Sequence, residues 1–310
     1  MLTAISPPAP AQDNYPSTTV RLVTGFPSGV LDLLARQVAQ KLSAQLNSSV
    51  IVDSRLGANG NIAAEFVARA KPDGHTLLVN TASVVFSPAF GDKLGYDVAR
   101  DLAPVCLLAS SSFVLVVTYS LPVKTLAEFI RLAKANPDKL AYGSTGNGSI
   151  SHLGPLLFLQ ANGLKALHVP YKGGAQVITD LASGYIQFAM QGQANALPLV
   201  KAKRLKALAF TGIARSPQIP DIPTLDETVM RGFELSTWQA VMAPAKTPAA
   251  VIRRINAELL KALQDPELKS RLEFEGAVIR GTTPEAYAAY LKTELERWAR
   301  VVKINNIKLE

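Results

Sequence analysis

Short apolar runs rich in β-branched residues alternate along this chain with stretches of helical periodicity. The runs Thr19–Val23, Val50–Val52, Thr76–Val79, Val114–Thr118, Leu140–Gly143, Ala166–Val169, Ile186–Met190 and Leu205–Thr211 are predicted as strands. Leu31, Leu34, Ala35, Val38, Ala39 and Leu42 recur at i, i+3, i+4, i+7, one face of an amphipathic helix. Ile62, Ala63, Phe66, Val67 and Ala70 repeat the pattern, and Pro72-Asp-Gly74 turns the chain into the next strand. Thr125 with Glu128 fits a capping box, while Thr247-Pro248 and Thr283-Pro284 each set a capping hydroxyl before a first-turn proline. Asn59-Gly-Asn61 reads as another cap. A last helix carries Tyr287, Leu291, Leu295 and Trp298 on one side, with Glu296 and Arg300 spaced to pair on its surface. Strands alternating with helices predict an α/β protein with mostly parallel sheets.

The pattern echoes itself once. Val20-Arg-Leu-Val-Thr-Gly-Phe-Pro-Ser-Gly29 runs from a strand through a glycine-containing loop into the Leu31 helix. Leu140-Ala-Tyr-Gly-Ser-Thr-Gly-Asn-Gly-Ser149 does the same ahead of a helix with Ile150, Leu153, Leu157 and Phe158. The length, 310 residues, suits two domains of about 100–200 residues each, with one loop at the mouth of each sheet. Hydrophobic residues at 48% and charged residues at 18% exclude a chain too polar to fold. The single cysteine, Cys106, excludes an internal disulfide and a multi-cysteine zinc site; it sits in Val105-Cys-Leu-Leu and reads as a buried small hydrophobe.

A net charge of +8 favours anionic partners. The basic residues are scattered, without the aromatic interleaving that stacks bases, so nucleic acid is not expected. No stretch approaches about 20 uninterrupted apolar residues, so no membrane span is expected. Residues 1–14 are small and Ala/Pro-rich, either the remnant of a signal peptide or a disordered tail.

Candidate chemistry concentrates in Gly143-Ser-Thr-Gly-Asn-Gly-Ser149. Its glycines let the backbone approach a ligand, the following helix offers unpaired N–H groups, and its hydroxyls suit a carboxylate or phosphate oxygen. It lacks the Gly-Lys-Ser/Thr of a phosphate P-loop. The plain alternative is a glycine-rich turn with Ser149 as helix cap. Phe26-Pro-Ser-Gly29 is a weaker feature of the same kind, and Tyr171-Lys172 beside Gly173-Gly174 can reach an anion. No G-x-S-x-G or HExxH occurs. His152 with Ser149 and Ser151 permits a nucleophile and base, so an enzyme acting on a small anionic substrate, with His152 as acid/base, stands as the alternative function. A cytoplasmic interaction protein is a third reading. His75 and His168 read as structural.

Taken together, these segments resemble the Bordetella uptake gene family of periplasmic solute-binding proteins, the receptors of tripartite tricarboxylate transporters. The resemblance runs from about Tyr15 to Ile304. It is carried by Tyr15-Pro16 with Val20-Arg-Leu-Val23, Arg55-Leu-Gly-Ala-Asn-Gly-Asn-Ile62 and Pro72-Asp-Gly-His-Thr-Leu-Leu78. It continues in Tyr142 to Ser149 with His152, His168-Val-Pro-Tyr-Lys-Gly173, Arg215-Ser-Pro217 with Ile222-Pro-Thr224, and Ala243-Pro-Ala with Thr247-Pro-Ala249 and Trp298. Number, order and spacing make the match specific.

The resemblance implies an α/β, two-lobed periplasmic binding protein, type II-like, with a ligand cleft between the lobes. It implies no enzymatic activity and no cofactor or metal. The ligand would be a small organic carboxylate and the partners membrane permease subunits of the transporter, or a sensor, met by a monomer in the periplasm. Lobe one is expected at 15–118 plus 243–310 and lobe two at 119–242, with hinges at Val114–Thr118 and Gln239–Ala243. Ligand contacts carried over are Ser144, Thr145, Gly146, Gly148, Ser149, His152, Tyr171 and Lys172 in lobe two, and Phe26, Ser28, Gly29, Thr81 and Ser83 in lobe one. Two departures stand out. The loop Phe26-Pro-Ser-Gly-Val-Leu-Asp32 is a residue shorter than the family's and has lost a glycine. Gln191 stands where the family often has an acid, so a ligand without an ammonium group is expected.

Overall fold

The computed structural model describes residues 15–26, 30–305 and 307. The expected tail, 1–14, lies outside the described residues, as do the candidates Ser28 and Gly29. The chain runs β1 (Val20–Thr24), α1 (Val30–Leu46), β2 (Val50–Ser54), α2 (Asn61–Ala68), β3 (Thr76–Thr81), α3 (Ser83–Ala89), α4 (Val98–Asp101) and then β4 (Leu102–Thr118). Next come α5 (Leu126–Ala135), β5 (Ala141–Ser144), α6 (Ile150–Ala161), β6 (Leu167–Pro170), α7 (Gly174–Ser183), β7 (Phe188–Gly192), α8 (Gln193–Lys201) and β8 (Leu205–Phe210). It ends with α9 (Leu225–Thr228), β9 (Ser236–Pro244), α10 (Ala249–Ala262), α11 (Pro266–Phe274), β10 (Ala277–Ile279) and α12 (Pro284–Ile304).

Two sheets share β4. Through Ser112 this strand pairs with β9 and, over Ala109–Ser111, with β10. From Phe113 it pairs with β7, and from Val114 with β8. The first lobe's sheet is ordered β2-β1-β3-β9-β4, and the second continues from β4 through β7 and β5 to β6. In both, the first three strands are parallel and the fourth, antiparallel, is reached by a crossing. Of the expected lobe boundaries, 118 is the last residue of β4 and 242 falls inside β9, whereas β4 passes from one sheet to the other at Ser112–Phe113.

Seventeen residues long, β4 exceeds its predicted stretch because Leu102–Ala109 is apolar on both faces and shows no alternation. On one side of the first sheet, Leu34, Val38 and Leu42 of α1 meet Ile255 and Leu259 of α10 in one core. On the other side, Val67 of α2 and Tyr287 and Trp298 of α12 join a core that reaches Phe129, Phe158 and Phe188 of the second lobe. Thr125 and Glu128 form the expected capping box, and Thr283 caps α12. Thr247 does not cap α10: Pro248 holds that position and the Thr247 hydroxyl is buried without a partner. The buried face of α2 is Asn61, Ala63, Ala64 and Val67, leaving Ile62 exposed. On α12, Glu294 rather than Glu296 pairs, with Arg297.

Candidate functional site

The carboxyl ends of β1 and β3 face those of β5, β6 and β7, the position where open α/β sheets bind ligands. On the second lobe, β5 ends at the fully buried Ser144, and the chain passes through Gly146 (φ +119) and Gly148 (φ +72) into α6. Only glycine takes these angles without strain, which lets five residues reverse direction over the helix start.

The loop's hydroxyls bond to one another and to the main chain. Thr145 N–H donates to Ser151 Oγ at 3.0 Å, and the Thr145 and Ser149 hydroxyls lie 3.0 and 3.1 Å from the same oxygen. Ser149 donates to Gly146 O at 2.7 Å instead of capping α6, so the first N–H groups of the helix have no capping side chain. Ser144 Oγ accepts from Gly146 N at 3.1 Å and lies 2.6 Å from His168 Nε2.

Two imidazoles support this loop from within. His152 Nδ1 accepts the Gly148 N–H at 3.1 Å, which requires that nitrogen to be unprotonated. The rings of His152 and His168 stack 4.0 Å apart at 13°, with Tyr142 against His168 at 4.9 Å. Burial, and then the neighbouring His168, push His152 down to about 4; burial alone lowers His168. Both rings are neutral at pH 7. With its Nδ1 engaged and its basicity this low, His152 is poorly suited to acid/base work near neutrality.

The remaining candidates fall in two groups. Gln191, 4% exposed at the end of β7, lies beside the start of α7 at Gly174, and its amide has no hydrogen-bond partner among the described residues. Lys172 is exposed on the preceding turn. The Tyr171 hydroxyl donates to Asp180 at 2.7 Å, turned toward α7; burial and that carboxylate raise its pKa. In the first lobe, Thr81 Oγ1 accepts from Ser83 N at 3.1 Å, and the ring of Phe26 packs against Gly60.

Asn59-Gly-Asn61 makes no side-chain cap. Asn61 instead donates to Ala58 O at 2.8 Å and Ser87 Oγ at 2.7 Å and accepts from Tyr96 at 2.8 Å. Asn59 donates to Asn147 O at 3.3 Å, from one lobe to the other. Asn59, read as part of a cap, and His168, read only as structural, are thus site elements whose partners the sequence did not foresee, while Ser151, a candidate nucleophile beside His152, instead gathers the loop's hydroxyls. For His168 a signal existed, because placing two parallel strands in register sets it beside Tyr142.

A separate cavity of about 580 Å³ lies on the other edge of β4, between Phe210–Gln218 and Gly276–Arg280. None of the candidate ligand residues lines it. Among the described residues no group of three or more His, Cys, Asp or Glu is placed to hold a metal ion, and no helix is long and apolar enough to cross a membrane.

The family described as "Tripartite tricarboxylate transporter family receptor" matches residues 34–307. A protein of Pseudomonas sp. (strain P51), described as a UPF0065 protein in the tcbD-tcbE intergenic region, is 35% identical over 97% of this chain and 90% of its own length. The structure of R. palustris Rpa4515 with adipate superposes with a TM-score of 0.86 at 34% identity, covering 95% of this chain and 99% of that one. MatC from Rhodopseudomonas palustris with bound malate gives 0.83 at 30% identity, covering 93% and 100%.

Proposed function

Because the chain belongs to the tripartite tricarboxylate transporter receptor family, we propose that it captures a small organic dicarboxylate between its lobes and hands it to the transporter's membrane subunits. The observation that carries this reading is the uncapped start of α6 beneath the Ser144–Ser149 loop. An anion there meets free N–H groups, the positive end of a helix dipole and a set of hydroxyls. One carboxylate sits at that loop, contacting Thr145, Gly146, Gly148 and Ser149. Ser144 and His152 hold the loop in shape from behind.

The rest of the ligand extends toward Gln191 and Lys172, with Phe26, Thr81 and Ser83 closing over it from the first lobe. The adipate and malate held by the two similar structures support a dicarboxylate. Neither carries an ammonium group, and the neutral amide of Gln191 is consistent with such ligands. The lobes turn about β4 at Ser112–Phe113 and about the return segment ahead of β9. Lobe one is then residues 15–112 with 236–307, and lobe two 113–235. The receptor acts as a monomer in the periplasm, and its closed form docks on the permease.

A thermal-shift screen against adipate, malate, citrate, aspartate and benzoate tests this. A ligand at a hundred times its Kd stabilises by about 2.7 kcal/mol, a rise of several degrees in Tm. Adipate or malate is expected to give that rise and aspartate is not. A shift with aspartate alone would overturn the ligand class. No shift with any acid, from protein shown by mass spectrometry to carry no ligand, would overturn carboxylate capture.

A further inference from the structure

We propose, building on the receptor reading above, that Asn59 is a latch that sets how readily the lobes close, whatever ligand lies between them. Its side-chain amide donates to the main-chain carbonyl of Asn147 at 3.3 Å, joining loops 88 residues apart in sequence and on opposite lobes. The acceptor is backbone, so the bond requires no group on the ligand.

The turn carrying Asn59 is prebuilt. Ala58 and Asn59 both have positive φ, 47° and 53°, between Gly57 at 124° and Gly60 at 86°. Asparagine tolerates that region better than other non-glycine residues. The buried Asn61 ties the turn to α3 through Ser87 and to Tyr96, and bonds the Ala58 carbonyl directly. Gly25 packs so closely that a Cβ there would lie 2.3 Å from the Gly60 Cα. Asn59 is therefore presented to the second lobe by a rigid support.

Other hydrogen bonds also join the lobes: Gln160 donates to Asn305 O at 3.3 Å, Arg297 to Glu234 O and Gln218 to Glu273 O. One further set sits near the pivot. Gln193, 2% exposed at the start of α8, donates to Gly276 O at 3.2 Å and accepts from Ser216. A Cβ on Gly276 would come 2.2 Å from its amide nitrogen. This packing lies beside Ser112, where β4 changes sheet, so a rotation there moves it little. The Asn59 bond is solvent-exposed and joins the segments that follow β2 and β5, so drawing the carboxyl ends of the two sheets apart stretches it. Opening breaks the Asn59 bond.

A solvent-exposed hydrogen bond shifts an equilibrium by roughly two- to tenfold. Apparent affinity scales with the closed, binding-competent fraction, so losing the latch weakens every ligand by the same factor. Asn59→Asp keeps the size and the tolerance of positive φ but loses the donor, and Asn59→Gly loses it while keeping the turn. The inter-lobe distance distribution is measured by paired spin labels, one on each lobe, on the empty protein. Cys106 is buried with its thiol pushed up to about 12, so only the introduced cysteines take label.

Both variants are expected to shift the empty protein toward longer distances. The Kd for adipate and for malate is expected to rise about two- to tenfold, equally, through faster release. An unchanged distribution in both variants would overturn the latch. Unequal losses for the two acids would also overturn it, by making Asn59 a ligand contact. If the wild type binds neither acid, the dicarboxylate reading fails while the empty-protein distances still decide the latch.

Discussion

The two lobes repeat one strand order yet bring different chemistry to the groove. In lobe two, the strand–loop–helix unit after β5 is a polar network with a buried anchor: Ser144 on His168, Gly148 on His152, and two hydroxyls and a main-chain N–H converging on Ser151. In lobe one, the corresponding region offers the Phe26 ring, the Thr81–Ser83 pair and the Asn59 turn. Fixed hydroxyls and helix N–H groups recognise an anion at little cost in ordering, because they are already oriented. An apolar ring and a presented amide suit a wall that closes. The same topology therefore supports a division of labour, with charge recognition on one lobe and closure on the other.

Acid should break that contrast first, because both stacked histidines belong to lobe two. Burial and the adjacent His168 hold His152 at about 4 in the folded protein, against 6.5 when unfolded. Between those values the unfolded chain binds a proton that the folded chain does not, so stability rises with pH. The contribution is complete above pH 6.5 and is lost as pH falls toward 4, on the order of 2–3 kcal/mol. His168, also lowered by burial, acts in the same direction. Melting temperature is expected to fall between pH 7 and 4.5. His152→Asn, whose amide oxygen still accepts from Gly148, is expected to flatten that fall. An equally steep fall in the variant would remove the histidine pair as its cause.

Ser144→Ala attacks the same anchor chemically. It leaves the Gly146 N–H and the His168 ring nitrogen without their partner, at a cost of about 2 kcal/mol. Calorimetry with adipate is expected to show affinity reduced at least tenfold, with a lower Tm. Retained affinity would place the carboxylate elsewhere.

The fold was the more legible part of the chain. Thr125 with Glu128, and Thr283 before Pro284, announced their helices because capping is local chemistry. The loop before α6 stood out because two glycines at positive φ leave a compositional mark. What stayed hidden was long-range. His168 and Ser144 are 24 residues apart and Asn59 and Asn147 are 88 apart, and no local pattern reports such meetings. Asn61 passed as a cap because capping and network residues share one side chain. The first half of β4 escaped because a strand buried on both faces loses its period-two signature.

Gln191→Glu sharpens the comparison within lobe two. Gln191 is 4% exposed and its amide has no hydrogen-bond partner among the described residues, so on the proposed reading a carboxylate placed there faces the ligand. Adipate affinity is expected to drop about tenfold at pH 7.5, the size of one unfavourable charge contact of about 1.4 kcal/mol. Binding of aspartate is expected to appear, because its ammonium group can pair with the new carboxylate. Unchanged selectivity in a competition assay would move Gln191 out of the ligand's reach.

The smallest effect is expected from the closing wall. Thr81 Oγ1 accepts from the Ser83 N–H and lies 3.3 Å from the Ser83 hydroxyl, so its role is to shape a turn at the end of β3. Thr81→Ala removes one half-exposed hydrogen bond, about 0.5–1 kcal/mol, and leaves the loop before α6 intact. Adipate affinity is expected to change less than threefold in calorimetry, against the tenfold or more of Ser144→Ala. The ratio of the two losses carries the weight, because each lesion takes one hydroxyl from the carboxyl end of a parallel strand, Ser144 from β5 and Thr81 from β3. A Thr81 loss as large as the Ser144 loss would mean that both lobes grip the carboxylate, and the division between a recognising and a closing lobe would fall.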